Sequence, residues 1–365
     1  MITLKTPIVH DKYTEIAERS FDIPHTEYSI VEVNDTISLP EEWNIGLIYG
    51  ASGVGKSTLL REKFGAYKPF VWDNNISIIS NFSMVEPQEA SELLCAVGLN
   101  TIPCWVRPYN CLSTGEKARA DIAIKLALKD DITVIDEFTS VVDRNVAKAL
   151  SNSVQKYIKK KNIKVVFASC HTDIIEWLLP DWAYNPADNV TKYPRGCLCR
   201  PKINLKICRV KYEAWELFKH HHYLSADLNK AAKCFMAYWD DKPVGFIAIL
   251  PQPSGHFKNG WRISRVVVLP DYQGLGIGIA LRNYFGSLVT AKEDGKLYGR
   301  TMHPAIGLYG LNHKDIWQET SHSRKKQDKA KGMETYKLDT RPCYAFKYVG
   351  KKATEEEAKL FYEKL

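Results

Sequence analysis

The chain contains no apolar run approaching the ~20 residues that a membrane-spanning helix needs, so no helical span is expected. Its first residues, Met1-Ile2-Thr3-Leu4-Lys5, lack the pattern of a secretory signal, and a cytoplasmic location is expected. Regular cysteine spacing is missing too. Nine cysteines, an odd number, fit a reducing compartment better than a disulfide framework. Cys197, Cys199 and Cys208 cluster, but C-x-C without a second well-spaced pair is poor zinc spacing.

What is present is enough apolar mass for real cores. Hydrophobic residues make up 45% of 365, with a mean hydropathy of −0.28, and this length predicts two domains. Pro186, Pro194, Gly196 and Pro201 punctuate a stretch without periodicity. The expected domains are therefore residues 1–200 and 201–365. Charge changes at the same place. The first part holds 22 basic and 25 acidic side chains, net −3; the second holds 28 and 17, net +11. A basic half joined to a near-neutral one points to a polyanionic partner, with a solvated lysine-rich surface as the alternative.

Residues 50–57 read Gly-Ala-Ser-Gly-Val-Gly-Lys-Ser, fitting G-x-x-x-x-G-K-[ST]. The apolar run Ile45–Tyr49 precedes it and Thr58-Leu59-Leu60-Arg61 opens a helix, which is the strand–loop–helix context that a P-loop requires. Glycines let backbone N–H groups close around phosphates, and the helix N-terminus adds partial positive charge. Gly50, Ser52, Gly53, Gly55, Lys56, Ser57 and Thr58 are the expected ATP cradle. Lys56 reaches the β/γ phosphates and Ser57 ligates Mg²⁺.

Further motifs follow in order. Leu112-Ser113-Thr114-Gly115-Glu116-Lys117 resembles the LSGGQ signature of ABC ATPases. Ile132-Thr133-Val134-Ile135-Asp136-Glu137 resembles their Walker B strand, and Thr139-Ser140-Val141-Val142-Asp143 their D-loop. A third apolar strand, Val165–Ser169, ends at Cys170-His171, where the family places its switch histidine. The resemblance implies that Asp136 holds the Mg²⁺ shell with Ser57, that Glu137 orients or deprotonates the attacking water, and that His171 is catalytic. Ser113 and Gly115 would cap ATP held by Lys56 of a second copy, giving an ATP-dependent homodimer. Two departures stand out. Few residues separate Lys56 from Ser113, which predicts a reduced helical subdomain, and no Q-loop glutamine is evident, Gln88 being one candidate.

The second half has its own phosphate-type loop. Arg262-Ile263-Ser264-Arg265-Val266-Val267-Val268-Leu269 reads as a buried strand, broken by Pro270-Asp271-Tyr272. Gln273-Gly274-Leu275-Gly276-Ile277-Gly278 then opens a helix. This resembles the Q/R-x-x-G-x-G/A motif of the GNAT N-acetyltransferases. A hairpin precedes it, residues 234–239 and 244–248 around Asp240-Asp241-Lys242-Pro243. A Rossmann site would want G-x-G-x-x-G and an acidic residue ending a later strand, an arrangement the chain lacks. The resemblance implies an α+β domain with a mixed central sheet that binds acetyl-CoA or a related acyl-CoA through Val266, Val268, Gln273, Gly274, Gly276 and Gly278.

Tyr309, in His303-Pro304-Ala305-Ile306-Gly307-Leu308-Tyr309, falls where many such transferases carry a general acid. It is read either as the donor to the departing thiolate or as a core aromatic. The run from Phe218 to Ser225, with the Ser264-Arg265 strand, resembles the Mom-type DNA-modifying branch of phages. That implies an acceptor side built from His222, Tyr223, Ser225, Ser264 and Arg265. His221 and His222 are candidate bases, or a polar helix face. Arg324-Lys325-Lys326, Lys329 and Lys331 are a plausible phosphate contact, whereas Tyr344-Ala345-Phe346-Lys347-Tyr348 alternates like a closing strand.

The expected protein is α/β, an N-terminal ABC-type P-loop domain followed by a GNAT domain. Its expected function is ATP-hydrolysing acyl transfer to an amine on a nucleic-acid base, in DNA before RNA. The alternatives are an N-acetyltransferase for a small-molecule or protein amine with a regulatory ATPase, and an ABC ATPase using a degenerate GNAT fold for binding.

Overall fold

The computed structural model describes residues 1–65, 69–194, 198–199, 201–222, 227–252, 259–321, 323 and 343–363. Packing divides the chain into two compact units: Met1–Val71 with Ile124–Pro201, and Trp72–Ala123 with Lys202–Leu365. Residues 72–123 were expected within the first domain. They pack with the second unit instead, where helix Pro87–Ala96 touches helix Pro304–Asn312.

The first unit holds strands β1 (Ile2–Pro7), β2 (Tyr28–Val33), β3 (Ile45–Tyr49), β4 (Thr133–Ile135), β5 (Val165–Ser169), β6 (Trp182–Asn185) and β7 (Val190–Lys192). β1 and β2 form an antiparallel pair, and the remaining five make a sheet in the order β4-β5-β3-β6-β7. The first four are parallel and β7 is antiparallel. Every residue of β3 and β5 is buried, which is why both read as unbroken apolar runs rather than alternating ones. Helix Arg144–Lys161 lays Ala147, Leu150, Val154 and Ile158 into the core at helical spacing. Asp143 caps its start through the Asn145 amide, and Asn162 ends it in the left-handed region.

The second unit holds β8 (Lys206–Val210), β9 (Lys233–Trp239), β10 (Lys242–Pro251), β11 (Gly260–Val268), β12 (Lys296–Thr301), β13 (Trp317–Glu319) and β14 (Tyr344–Tyr348). They form one mixed sheet, β13-β14-β12-β11-β10-β9-β8. Only β11 and β12 run parallel, joined by helix Ile277–Ala291. Its Ile277, Leu281, Phe285 and Leu288 enter a core with Phe235, Ile247, Leu297 and Phe346. The β9–β10 hairpin turns on Asp240 and Asp241 alone, both at positive φ (50° and 59°). That two-residue primed turn matches strand twist, so Lys242 and Pro243 belong to β10 rather than to the turn. β14 is a strand, as its alternation suggested, with Ala345, Phe346 and Tyr348 buried, but it lies inside the sheet and β13 is the edge beyond it.

Residues 72–123 form a small helical element: helices Pro87–Ala96, Ile102–Trp105 and the start of Thr114–Ala127. Trp72 stacks on Tyr109 at 4.6 Å, and both donate to the Asp121 carboxylate, at 2.8 and 2.9 Å. Gln88 is exposed on helix Pro87–Ala96. Among the described residues no helix is long and apolar enough to cross a membrane.

Candidate functional sites

In the first unit three parallel strands deliver the expected ATP-site residues to one sheet edge. Tyr49 of β3 is in register with Ser169 of β5, and Phe167 of β5 with Ile135 of β4. The P-loop, His171 and Asp136-Glu137 therefore leave the sheet side by side, at the carboxyl ends where open α/β sheets bind ligands. Gly55 caps helix Lys56–Phe64 at φ 88°, and a Cβ there would sit 2.4 Å from the buried Val33 side chain. Glycine is thus required at Gly55 for both conformation and space. Lys56 Nζ donates to the carbonyls of Gly50 and Ala51, at 2.9 and 2.7 Å, which holds it folded over the loop. Ser52, Gly53, Ser57 and Thr58 lie in the same loop and first helical turn, with Ser57 exposed.

The Asp136 carboxylate accepts from the Glu137 amide at 2.8 Å, and Glu137 is exposed at φ 50°. His171 Nδ1 lies 3.3 Å from Thr139 Oγ1. Its amide donates to Ser169 Oγ, which in turn donates to the Phe138 carbonyl. Burial holds the His171 imidazole below its ordinary value, with Arg144 adding to the effect and Asp173 opposing it. At neutral pH it is an uncharged hydrogen-bonding group. At Gly53 an added Cβ would meet nothing within 4 Å, so that side of the loop is open.

Ser113 and Gly115 fall in the second unit, at the start of helix Thr114–Ala127. The Ser113 amide and hydroxyl both donate to Glu116 Oε2 at 2.9 Å, and Ser113 Oγ accepts from the Glu116 amide. The signature-like segment is therefore also a capping box.

The acyl-CoA candidate site is built on β11. The β11–β12 ladder ends at Ile263↔Gly299, so among the described residues Val266 and Val268 have no partner on that side. The β10 register skips Ser264, passing from Ala248↔Arg265 to Ile249↔Ile263. This is a β-bulge, which bends a strand and re-aims its side chains. β11 was expected to be buried, but only Gly260 and Val267 are, since one side faces a groove. Beyond it Gly274 and Gly276 take φ 89° and 86°, and Gly276 caps helix Ile277–Ala291. The Gln273 side-chain Nε2 donates to the Val268 carbonyl at 2.9 Å. A Cβ at Gly276 would meet open space, while one at Gly278 would sit 3.4 Å from Val268. The loop thus sets two left-handed glycines at a helix N-terminus, a position that suits a pyrophosphate.

Tyr309 is half-buried on helix Pro304–Asn312. Its hydroxyl oxygen accepts from the Asn283 amide at 2.9 Å, and Asn283 Oδ1 accepts from the Trp317 indole at 2.8 Å. With that oxygen already accepting, the hydroxyl hydrogen is available to donate. The geometry departs from that of a purely apolar core aromatic. Sequence reasoning missed His303, the cap of this helix. Its Nδ1 is buried without a hydrogen-bond partner, and burial keeps the ring below its ordinary value.

A groove of about 810 Å³ opens on the sheet beside the bulge, lined by Ser264 and Arg265 together with Arg262, Tyr298, Arg300, Lys347 and Glu319. Arg262, Tyr298 and Lys347 form one row, because Arg262 pairs with Tyr298 and Tyr298 with Lys347 across β11, β12 and β14. Four cations and one carboxylate thus line the groove with the Tyr298 and Phe346 rings. Arg265 donates to the carbonyls of Ser264 and Asp227, at 2.9 and 2.7 Å.

The histidine run is not the helix face that the sequence suggested. His220 and His221 lie in the short 3-10 turn Lys219–His221, which follows another, Tyr212–Leu217, and His222 leaves it extended. Burial lowers the His221 pKa, with His220 adding to the effect and Asp271 opposing it, and His222 meets Trp215 edge-on at 5.9 Å. Tyr223, Ser225 and the basic residues Arg324 to Lys331 lie outside the described residues.

Residues 203–309 match the acetyltransferase (GNAT) family model. The erythromycin resistance ATP-binding protein MsrA of Staphylococcus epidermidis is 24% identical over 166 residues, covering 41% of this chain and 33% of that protein. The putative ABC transporter ATP-binding protein MG304 of Mycoplasma genitalium is 34% identical over 116 residues, covering 32% and 38%. The chain thus spans about a third of the length of these two relatives. Among solved structures, an IAA acetyltransferase from Bacillus cereus ATCC 14579 aligns at 16% identity with a TM-score of 0.28, covering 40% of this chain and 98% of that one. The N-terminal region is thus similar to ABC ATP-binding proteins, and residues 203–309 to the GNAT acetyltransferases.

Proposed function

We propose that this union of an ABC-type ATPase region with a GNAT acetyltransferase domain is an ATP-hydrolysing acyltransferase acting on a nucleic-acid base. The acyl donor is an acyl-CoA-type thioester and the acceptor an amine of the base, in DNA before RNA, as in the Mom-type branch that the Ser264-Arg265 strand resembles. The observation that carries this reading is the row Arg262–Tyr298–Lys347 beside Arg265 and Arg300. Cations neutralise phosphate and an accessible ring stacks an unpaired base.

In this account the loop at Gln273, Gly274, Gly276 and Gly278 holds the donor's pyrophosphate, and Val266 and Val268 its thioester arm. The acceptor amine forms the new C–N bond at the thioester carbonyl, the C–S bond breaks, and Tyr309 delivers a proton to the departing thiolate. His303 is the proposed proton acceptor for the amine, and His222, Ser264 and Arg265 flank the acceptor. In the ATPase region Lys56 and the loop amides hold the phosphates. Ser57 and Asp136 hold Mg²⁺, Glu137 orients water and His171 completes the site. Ser113 and Gly115 of one chain cap the nucleotide of another, making an ATP-dependent homodimer.

The test is the salt dependence of DNA binding by the whole chain and by a variant with Arg262→Ala, Arg300→Ala and Lys347→Ala. Removing three phosphate contacts lowers the slope of log K against log salt by about 2 to 3. An unchanged slope, or no DNA binding by the wild type, moves the acceptor to a small-molecule or protein amine.

A further inference from the structure

His10, Glu18 and His25 converge at the connected end of the β1–β2 pair, in a part of the first unit that neither proposed reaction uses. Asp11 caps helix Lys12–Phe21 at its start, and Asp22 ends it at φ 51°. The chain then returns to pair Ile8 with Glu27 at 2.9 Å. This brings His10 and His25 to either side of Glu18. Their Nδ1 atoms lie 3.2 and 3.0 Å from the two carboxylate oxygens of Glu18, and the rings face each other at 4.0 Å.

The tautomer of His10 makes this arrangement informative. Its Nε2 lies 3.1 Å from the Thr26 carbonyl oxygen. A carbonyl only accepts, so Nε2 carries a hydrogen and Nδ1 is the ring atom turned to Glu18. That Nδ1 is buried and makes no hydrogen bond, although a carboxylate oxygen faces it. Between each Nδ1 and the Glu18 carboxylate lies either a proton, as in an imidazolium–carboxylate pair, or a metal cation. A metal-bound histidine commonly donates its other N–H to a backbone carbonyl, which fixes ring and tautomer.

We propose that His10, Glu18 and His25 form a divalent transition-metal site that joins the ends of the β1–β2 pair. The donor set is two imidazole nitrogens and one carboxylate, with all ligand atoms within 4.8 Å of one another. Donors around tetrahedral Zn²⁺ stand about 3.4 Å apart, and the two histidine–Glu18 separations, 3.2 and 3.0 Å, are close to this. Imidazole donors select Zn²⁺, Co²⁺ or Ni²⁺ over Mg²⁺ and Ca²⁺. His25 is exposed, so water has access to the fourth position.

The test uses the full chain, nucleotide-free, reduced and stripped of metal, titrated with Zn²⁺ against a chromogenic competitor and separately with Co²⁺. The wild type binds one equivalent more than His10→Ala or His25→Ala, and that Co²⁺ equivalent lacks the charge-transfer band of thiolate ligation. Zn²⁺ raises the melting temperature of the wild type more than that of either variant. Equal stoichiometry in all three proteins, or thiolate absorption from the lost equivalent, overturns the proposal. The cluster is then an imidazolium–carboxylate pair, or the metal belongs to cysteines. Neither outcome bears on acyl transfer, which is read by other residues.

Discussion

Gly55 and Gly276 occupy the same place in two unrelated loops, yet a side chain would meet different surroundings at each. At Gly276 only the backbone objects, so Gly276→Ala costs the left-handed penalty of about 1–2 kcal/mol and weakens acyl-CoA binding through the distorted loop. At Gly55 the same penalty is joined by a clash with Val33. Gly55→Ala should therefore destabilise more in urea, and Val33→Ala should recover part of the loss. Strict additivity of the two changes would contradict the close approach. His303 gives a pH signature. Its folded-state pKa lies below the ordinary 6.5, so below 6.5 the unfolded chain binds a proton that the native state resists. Stability falls as pH drops from 6.5 toward the lowered value, and His303→Leu removes that share of the acid sensitivity. A variant with the same urea midpoint shift across pH 6.5 as the wild type would show that His303 is not the group responsible. The loop glycines were legible in the sequence because fixed spacing encodes them. His303 and the His10–Glu18–His25 cluster were not, because burial and a helix closed by two caps bring them into position.

Secondary elements set where chemistry is possible. The Ser264 bulge and the early end of the β11–β12 ladder open the groove and free the edge at Val266 and Val268. Deleting Ser264 should restore a continuous register and abolish acyl transfer while leaving ATP hydrolysis intact; transfer that survives would separate the bulge from function. Tyr309→Phe should lower the turnover of acyl transfer by roughly 100-fold or more with little change in acyl-CoA binding, and Asn283→Leu should lower it less. Equal losses of binding and turnover would make Tyr309 a packing residue. The strand identities were largely visible as apolar runs and alternation. The bulge was not, since one skipped residue leaves no mark on a pattern that reads Arg-Ile-Ser-Arg-Val-Val-Val. The 3-10 turns around His221 were hidden for a related reason: a short polar run has no period by which to distinguish them from a helix.

Across the whole molecule, charge was the feature that sequence conveyed best and packing the one it conveyed least. The net +11 of residues 201–365 anticipated a cationic surface, and the groove concentrates part of it on one row of the sheet. By contrast, the union of 72–123 with the second unit depends on contacts between residues distant in sequence, such as those of helices Pro87–Ala96 and Pro304–Asn312. If ATP is shared between two chains, the Glu137→Gln variant, blocked in hydrolysis, should shift from monomer toward dimer in size-exclusion chromatography with ATP, and adding Ser113→Arg should prevent the shift. The decisive measurement is nucleoside mass spectrometry on DNA and RNA from cells expressing the wild type, Lys56→Ala or Tyr309→Phe. The account predicts a nucleoside heavier by an acyl group in the wild type, lost or sharply reduced in both variants. A new mass that persists in Lys56→Ala would contradict ATP coupling, and no new mass in the wild type would contradict a nucleic-acid acceptor.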